Sequence, residues 1–251
     1  MAKWSCSFYS VPIVLLGCSE NFGNPAPPYE APSAGPLLPG ARLSQGIFGW
    51  PDSPFTENDF AVLALYRNVG DVAIDFELED VDGQSHRLST LLAEKPVLLA
   101  MGSHACTVYQ DAVVKLNELA NEAFDGQRTY ADLVHFVHVY VVEAHPKAPD
   151  PAPHFGGVSE DIYSVVPQAR TYGKRKENAL LLLPALNDKQ LLLLDDLRPH
   201  DFDNPIWSSY GSGAASAWFI RQDGTIVAAH DWIDMKTLKK AARLSLLAAQ
   251  S

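Results

Sequence analysis

Cys106 stands in the stretch Gly102-Ser103-His104-Ala105-Cys106-Thr107-Val108-Tyr109, directly after the apolar run Val97 to Met101. A cysteine thiolate attacks a halogen, a peroxide oxygen or a disulfide sulfur, and the fragment it displaces then needs a proton. Glu143 and His145, in Tyr140-Val141-Val142-Glu143-Ala144-His145-Pro146, supply a carboxyl and an imidazole suited to moving that proton near neutral pH. If the apolar run is a strand and a helix begins after Cys106, the thiol sits at a helix N-terminus. The helix dipole and free amides there predict a lowered thiol pKa. The plainer alternative is a buried cysteine packed as a small apolar side chain, with Glu143 and His145 merely ending a strand.

The elements needed to position these residues can be read from periodicity. A short helical pattern runs from Thr56 through Arg67, and Gly70 to Leu78 leads to a turn at Asp82-Gly83. Two small strands, a short helix over Leu88 to Leu92 and a buried strand over Val97 to Met101 follow. A helix is expected from after Cys106 to about Phe124, with Val113, Leu116, Leu119 and Ala120 on one face, and a strand within Leu133 to Val142. Parallel strands need such a crossover helix. Pro167 opens a predicted helix to about Leu183, and Gln190 to Asp195 reads as a buried strand. Ala217 to Arg221, the turn Gln222-Asp223-Gly224 and Thr225 to His230 predict a hairpin, and Met235 to Ala249 an amphipathic final helix. A βαβ half followed by a hairpin and a closing helix resembles the thioredoxin-like α/β fold, with a central mixed β-sheet flanked by helices and here a disordered N-terminal extension.

The stretch Gly102 to Tyr109 is also similar to the active-site segment of iodothyronine deiodinases, in which selenocysteine stands at the position of Cys106. The Glu143-Ala144-His145-Pro146 motif, Pro167-Gln168-Ala169-Arg170 with Arg175, Asp195 after its aliphatic run and the hairpin at Gly224 fall in the family's order, across about residues 70 to 247. The resemblance implies a catalytic set of Cys106, Glu143 and His145; Ser103 and His104 beside the thiol, Arg170 in the family's next helix and Trp218, placed on the hairpin strand to face the thiol, form the expected substrate-binding set, with a small-molecule substrate and no cofactor or bound metal. Some positions depart from the family. His104 replaces an auxiliary cysteine, so an external thiol reductant or thioredoxin-like protein is the expected partner. Ala169 replaces a substrate-binding histidine, which argues against thyroid hormone. Ala215 stands where thioredoxin-like folds usually carry proline. Other readings are a one-cysteine peroxiredoxin-like peroxidase, in which Ser103 would hold the peroxide although Leu99 replaces a motif proline, and a non-catalytic binding domain. A metal-delivery module built on His104 and Cys106 lacks a second thiol.

Composition narrows the remaining classes. The 251 residues carry a net charge of -11 and no sizeable Lys/Arg cluster, which excludes nucleic acid as an expected partner. Met1 to Gly17 has a basic start and an apolar segment closing on Leu15-Leu16-Gly17-Cys18, which resembles a bacterial lipoprotein signal. Cleavage before Cys18 would remove Cys6, acylate Cys18 and leave Cys106 as the one free thiol. Membrane contact would then be through the lipid alone, since no eighteen-residue apolar run exists. The expected organisation is a signal over residues 1–17, a proline-rich tether over 18–54 and the folded domain over 55–251. Ser19 after the acylated cysteine points to the periplasmic face of the outer membrane in a bacterial cell envelope.

Overall fold

The computed structural model describes residues 67–147, 150, 166–196, 205–211 and 215–250. The signal, Cys18, the tether and the helical pattern from Thr56 to Tyr66 lie outside the described residues. Among those described, no helix is long and apolar enough to cross a membrane.

Glu77–Glu79 (β1) and Ser85–Arg87 (β2) form an antiparallel ribbon. The Asp80 carboxylate accepts from the Asp82 and Gln84 amides to hold its turn, in which Gly83 takes a φ of 86°. A short helix, Leu88–Glu94 (α1), leads into Val97–Gly102 (β3), whose six residues are all buried. Thr107–Asn121 (α2) and one turn, Tyr130–Leu133 (α3), precede His135–Tyr140 (β4). Tyr172–Ala179 (α4) continues as a 3-10 segment, Leu180–Ala185, before Gln190–Leu194 (β5). Pro205–Tyr210 (α5), the hairpin of Ala215–Ile220 (β6) with Ile226–His230 (β7), and Met235–Ala248 (α6) complete the chain.

The central sheet runs in the order β5-β4-β3-β6-β7. β3, β4 and β5 are parallel neighbours, whereas β6 pairs antiparallel with β3 and β7 with β6. Because strand side chains alternate, each central strand serves two cores. Leu98, Ala100, Phe136, Tyr140, Ala217 and Phe219 point toward α2, α4 and α6. Val97, Leu99, Met101, Val137, Val139, Trp218 and Ile220 point toward α1 and α5. α2 belongs against the first face because Tyr109, Ala112, Val113, Leu116, Leu119 and Ala120 recur at helical spacing and are buried.

Two boundaries differ from expectation. The helix expected from Pro167 begins at Tyr172, where the Thr171 hydroxyl accepts the Lys174 amide at 3.2 Å. The preceding residues cannot join it because Gln168 is tied to other segments, its amide to Asp150 and its side chain to Glu143. Leu133 is not in the strand: a capping box between Thr129 and Asp132 makes it the end of a helical turn.

Candidate functional site

The C-terminal ends of β3, β4 and β5 converge, and in open α/β sheets this edge is where functional groups gather. β3 ends at Gly102, which packs directly under the Tyr109 ring of α2. A Cβ at position 102 would overlap that ring. The chain then turns through Ser103-His104-Ala105, with the Cys106 amide donating to the Ser103 carbonyl at 3.2 Å. Cys106 is the N-cap residue of α2 and is 2% exposed.

The connection leaving β4 clamps this turn. Glu143, fully buried, accepts the Ala105 amide on Oε2 at 3.1 Å. Its Oε1 accepts from the Tyr140 hydroxyl at 2.5 Å and the Asn178 amide at 3.0 Å. The Tyr140 oxygen also accepts the His104 amide at 3.1 Å, and the buried Ser103 hydroxyl oxygen accepts the Ala144 amide at 3.1 Å. Gln168 closes the far side, accepting the Glu143 amide at 2.9 Å and donating to its carbonyl at 3.1 Å. Every donor aimed at the Glu143 carboxyl is one a carboxylate can receive, yet burial pushes its pKa up, against the pull of those hydrogen bonds and of Arg175.

The thiol does not behave as its helix position predicts. Burial pushes the Cys106 thiol up, with repulsion from Glu143 adding to it, and the Tyr109 and Val108 amides at the helix start only partly compensate. The helix N-terminus acts in the expected direction, but desolvation outweighs it. The resting cysteine is therefore a thiol rather than a thiolate at neutral pH. Burial holds the His104 imidazole below its usual range, so it is neutral. Beneath the turn, the Tyr109 hydroxyl bonds His138 Nδ1 at 3.1 Å, and full burial lowers His138 to about 4.

The structure thus brings Ser103, His104, Cys106 and Glu143 together, and places His145, half-buried, on the same connection two residues beyond Glu143. It does not bring Trp218 there. That side chain lies in the opposite core, edge-on to Tyr210, with its Nε1 donating to the Arg67 carbonyl at 2.9 Å. The reason is parity: Trp218 alternates with Ala217 and Phe219, which share the Cys106 face. Arg170 is 48% exposed at the surface, donating to Asp150 at 3.1 Å, and Asp150 in turn accepts the Gln168 amide. Ala215 pairs with Gly102 across the sheet edge and is buried in the Cys106 core.

Tyr140, Asn178, Arg175 and Asp195 complete the edge and were not assigned from the sequence as site residues. Arg175 is fully buried in α4 and donates from Nη1 to the Asp195 carbonyl at 2.9 Å. The Asp195 carboxylate, raised to about 6 by burial, receives the Ile206 and Trp207 amides at 3.0 Å each and starts α5. Tyr140 and Arg175 lay inside stretches quoted for the family resemblance. Asn178 had no sequence signal of its own. Among the described residues, no three His, Cys, Asp or Glu side chains come together as a metal site.

No protein-family model matches the chain and no curated protein matches it. Solved structures do. A candidate protein disulfide isomerase from Bacteroides thetaiotaomicron is similar with a TM-score of 0.50 at 16% identity, covering 74% of this chain and 95% of its own. A hypothetical protein from Sinorhizobium meliloti is similar with a TM-score of 0.50 at 14% identity, covering 72% and 85%. A peroxidoxin from Mycobacterium tuberculosis reaches 0.45 at 19% identity, covering 74% and 99%. At such identities the likeness is one of architecture, and with the β3-α2-β4 order, the mixed sheet and the closing hairpin it establishes a thioredoxin-like fold for this chain.

Proposed function

We propose that this chain is a single-cysteine thiol oxidoreductase that works reductively, in the manner of the deiodinases its sequence resembles. The observation that carries the reading is the buried Glu143 carboxyl bonded to the Ala105 amide, immediately before Cys106. Burial makes ionisation of both Cys106 and Glu143 harder, and an ionised Glu143 adds to the cost of a thiolate at Cys106. Such a pair suits a reaction in which the thiol proton must leave as the sulfur attacks and then be delivered to the departing fragment. Tyr140, bonded to the same carboxyl, and His145, on the same connection, are the groups through which that proton would pass.

The Cys106 thiol and a substrate X–Y give Cys106–S–X and H–Y, with X an iodine, a hydroxyl or a second sulfur. The Sγ–X bond forms as X–Y breaks, and the thiol proton ends on Y. One external thiol displaces X as HX and leaves a mixed disulfide on Cys106; a second releases the oxidised thiol and restores the enzyme. A disulfide substrate needs only the last step. With Cys106 the one cysteine outside the segment 1–18, no internal thiol performs it. The lipid anchor at Cys18 and an outer-membrane position facing the periplasm belong to the same proposal, since they would place the site where exchangeable thiols meet disulfides.

The test is to treat the full chain with a small disulfide, a hydroperoxide and an aryl iodide, and to follow Cys106 by mass spectrometry. The expected result is an adduct on Cys106 that Cys106→Ser lacks, excess dithiol regenerating the thiol, and turnover roughly a hundredfold slower in Glu143→Gln. A folded protein whose Cys106 resists all three reagents would leave a non-catalytic binding domain as the better account.

A further inference from the structure

Arg175 is out of place as a structural residue. Its side chain is 1% exposed, its Nε has no hydrogen-bond partner, and its Nη1 donates to a carbonyl, that of Asp195, rather than to a carboxylate. A guanidinium removed from water with no carboxylate hydrogen-bonded to it is costly, and an apolar residue of similar volume would pack in α4 without that cost. What surrounds it gives the reason. Asp195, Glu143, Tyr140 and Asp196 all act on it electrostatically, and the Asp195 amide bonds the Tyr140 carbonyl at 3.0 Å, which holds the ends of β4 and β5 together beside it. On its own helix Asn178 holds the same Glu143 oxygen that Tyr140 holds. One buried cation thus stands among two buried carboxyls, Glu143 and Asp195, and the half-buried Asp196.

We propose that Arg175 is the positioning residue that keeps the negative charge of the site on Glu143 rather than on Cys106, and so keeps the resting cysteine a protonated, hydrogen-bonded thiol. The inference rests on the proposed Cys106–Glu143 chemistry for its meaning, but not for its test. Arg175 attracts the ionised form of Glu143, while the ionised Glu143 repels a thiolate at Cys106. Arg175 lies one helical turn before Asn178 on the buried face of α4, and Asn178 bonds Glu143, so the arginine is placed to reach the thiol through that carboxylate. The groups facing Glu143 in this scheme are Cys106 and the Ala105 amide from the turn, Tyr140 from β4, and Arg175 and Asn178 from α4.

The measurement is the rate of iodoacetamide labelling of Cys106 against pH in the full chain, for wild type, Arg175→Met, Glu143→Gln and the double variant. Removing the cation favours the protonated form of Glu143, and removing the carboxylate acts on the thiol in the same direction. Each single variant is therefore expected to lower the labelling midpoint by about one pH unit, and the double variant by no more than either alone. Arg175→Lys should return the midpoint toward wild type, and Arg175→Gln, which also removes the charge, serves in place of the methionine variant if that one fails to fold. An unmoved midpoint in Arg175→Met, or shifts that add in the double variant, would overturn the assignment, because a residue that only packs α4 has no reason to act through Glu143. This outcome is independent of turnover: inert electrophiles would defeat the proposed function while leaving the thiol titration intact.

Discussion

On β6, Trp218 points into a layer with Trp207, Tyr210 and aliphatic side chains, while its neighbour Ala217 points into the layer that holds Cys106, Tyr109 and Tyr140. The aromatic polar atoms of the first layer are settled by single bonds: Trp218 Nε1 to the Arg67 carbonyl, and the Tyr210 hydroxyl to the Ile74 carbonyl at 2.6 Å. The second layer encloses His138, and Glu143 and Arg175 are buried along its edge. Burying ionisable groups costs stability, and aromatic burial returns it. The contrast shows a division within one sheet, in which the face remote from the thiol supplies the stability that lets the other face keep groups in unfavourable protonation states.

The largest effect should come from removing that support. Trp218→Ala is expected to destabilise the protein by about 4 kcal/mol in urea titration, while leaving the labelling midpoint of Cys106 in the folded protein unchanged. A shifted midpoint would mean that the two faces are not separable. Next come two buried titratable groups, His138 in the thiol's layer and Asp195 at the end of β5 against α5, probed by pH. Asp195, at about 6, titrates above the ordinary aspartate value of 3.8, so its contribution is fully present below about 4 and lost as pH rises through about 6. His138, at about 4, titrates below the ordinary 6.5, so its contribution is present above about 6.5 and lost as pH falls through about 4. Each is worth about 3 kcal/mol over that window, with opposite sign. Relative to wild type, Asp195→Asn should therefore lose stability on acidification from pH 7 to 4, and His138→Leu should gain it. Parallel curves for the two variants would contradict this assignment of signs.

Gly102→Ala follows, at about 2 kcal/mol, because the added methyl must displace the Tyr109 ring or the end of β3. Thermal melts should register that loss, and iodoacetamide should label Cys106 faster in this variant, since the turn bearing the thiol rests on that contact. Arg170→Ala marks the lower end: its guanidinium is 48% exposed and its ion pair lies at the surface, so the stability change should stay within about 0.5 kcal/mol. A larger loss in calorimetry would show that Asp150 and Gln168 transmit more to Glu143 than their geometry suggests.

What could be read from the sequence was what depends on neighbours in the chain. β3, α2, the hairpin and α6 are continuous patterns of apolar spacing, and the structure keeps them at the expected places. α5 was missed because its start is capped by Asp195, eleven residues before Ile206 and on another strand, and no local pattern carries that bond. The one-turn α3 was readable in principle from Thr129-x-x-Asp132. At the site, Cys106 and Glu143 were found by residue type and motif, and the face of Trp218 could have been found by counting: positions 215 and 218 differ by three, so they cannot share a face. The direction of the thiol shift was another matter. Helix position and burial oppose each other at Cys106, and which one prevails depends on how much chain covers the sulfur, a quantity that exists only after folding.

The contact between Gly102 and Tyr109 also bears on how this protein can diverge. The two positions share one volume, so a side chain at 102 is admissible only in a lineage that has already shrunk residue 109, and neither change is neutral when it comes first. Since Tyr109 is also bonded to His138, a step at 109 leaves that imidazole without its partner and invites a third change on β4. Relatives of this chain should accordingly vary at 102, 109 and 138 as one inherited block, while the exposed Val108 beside them drifts freely.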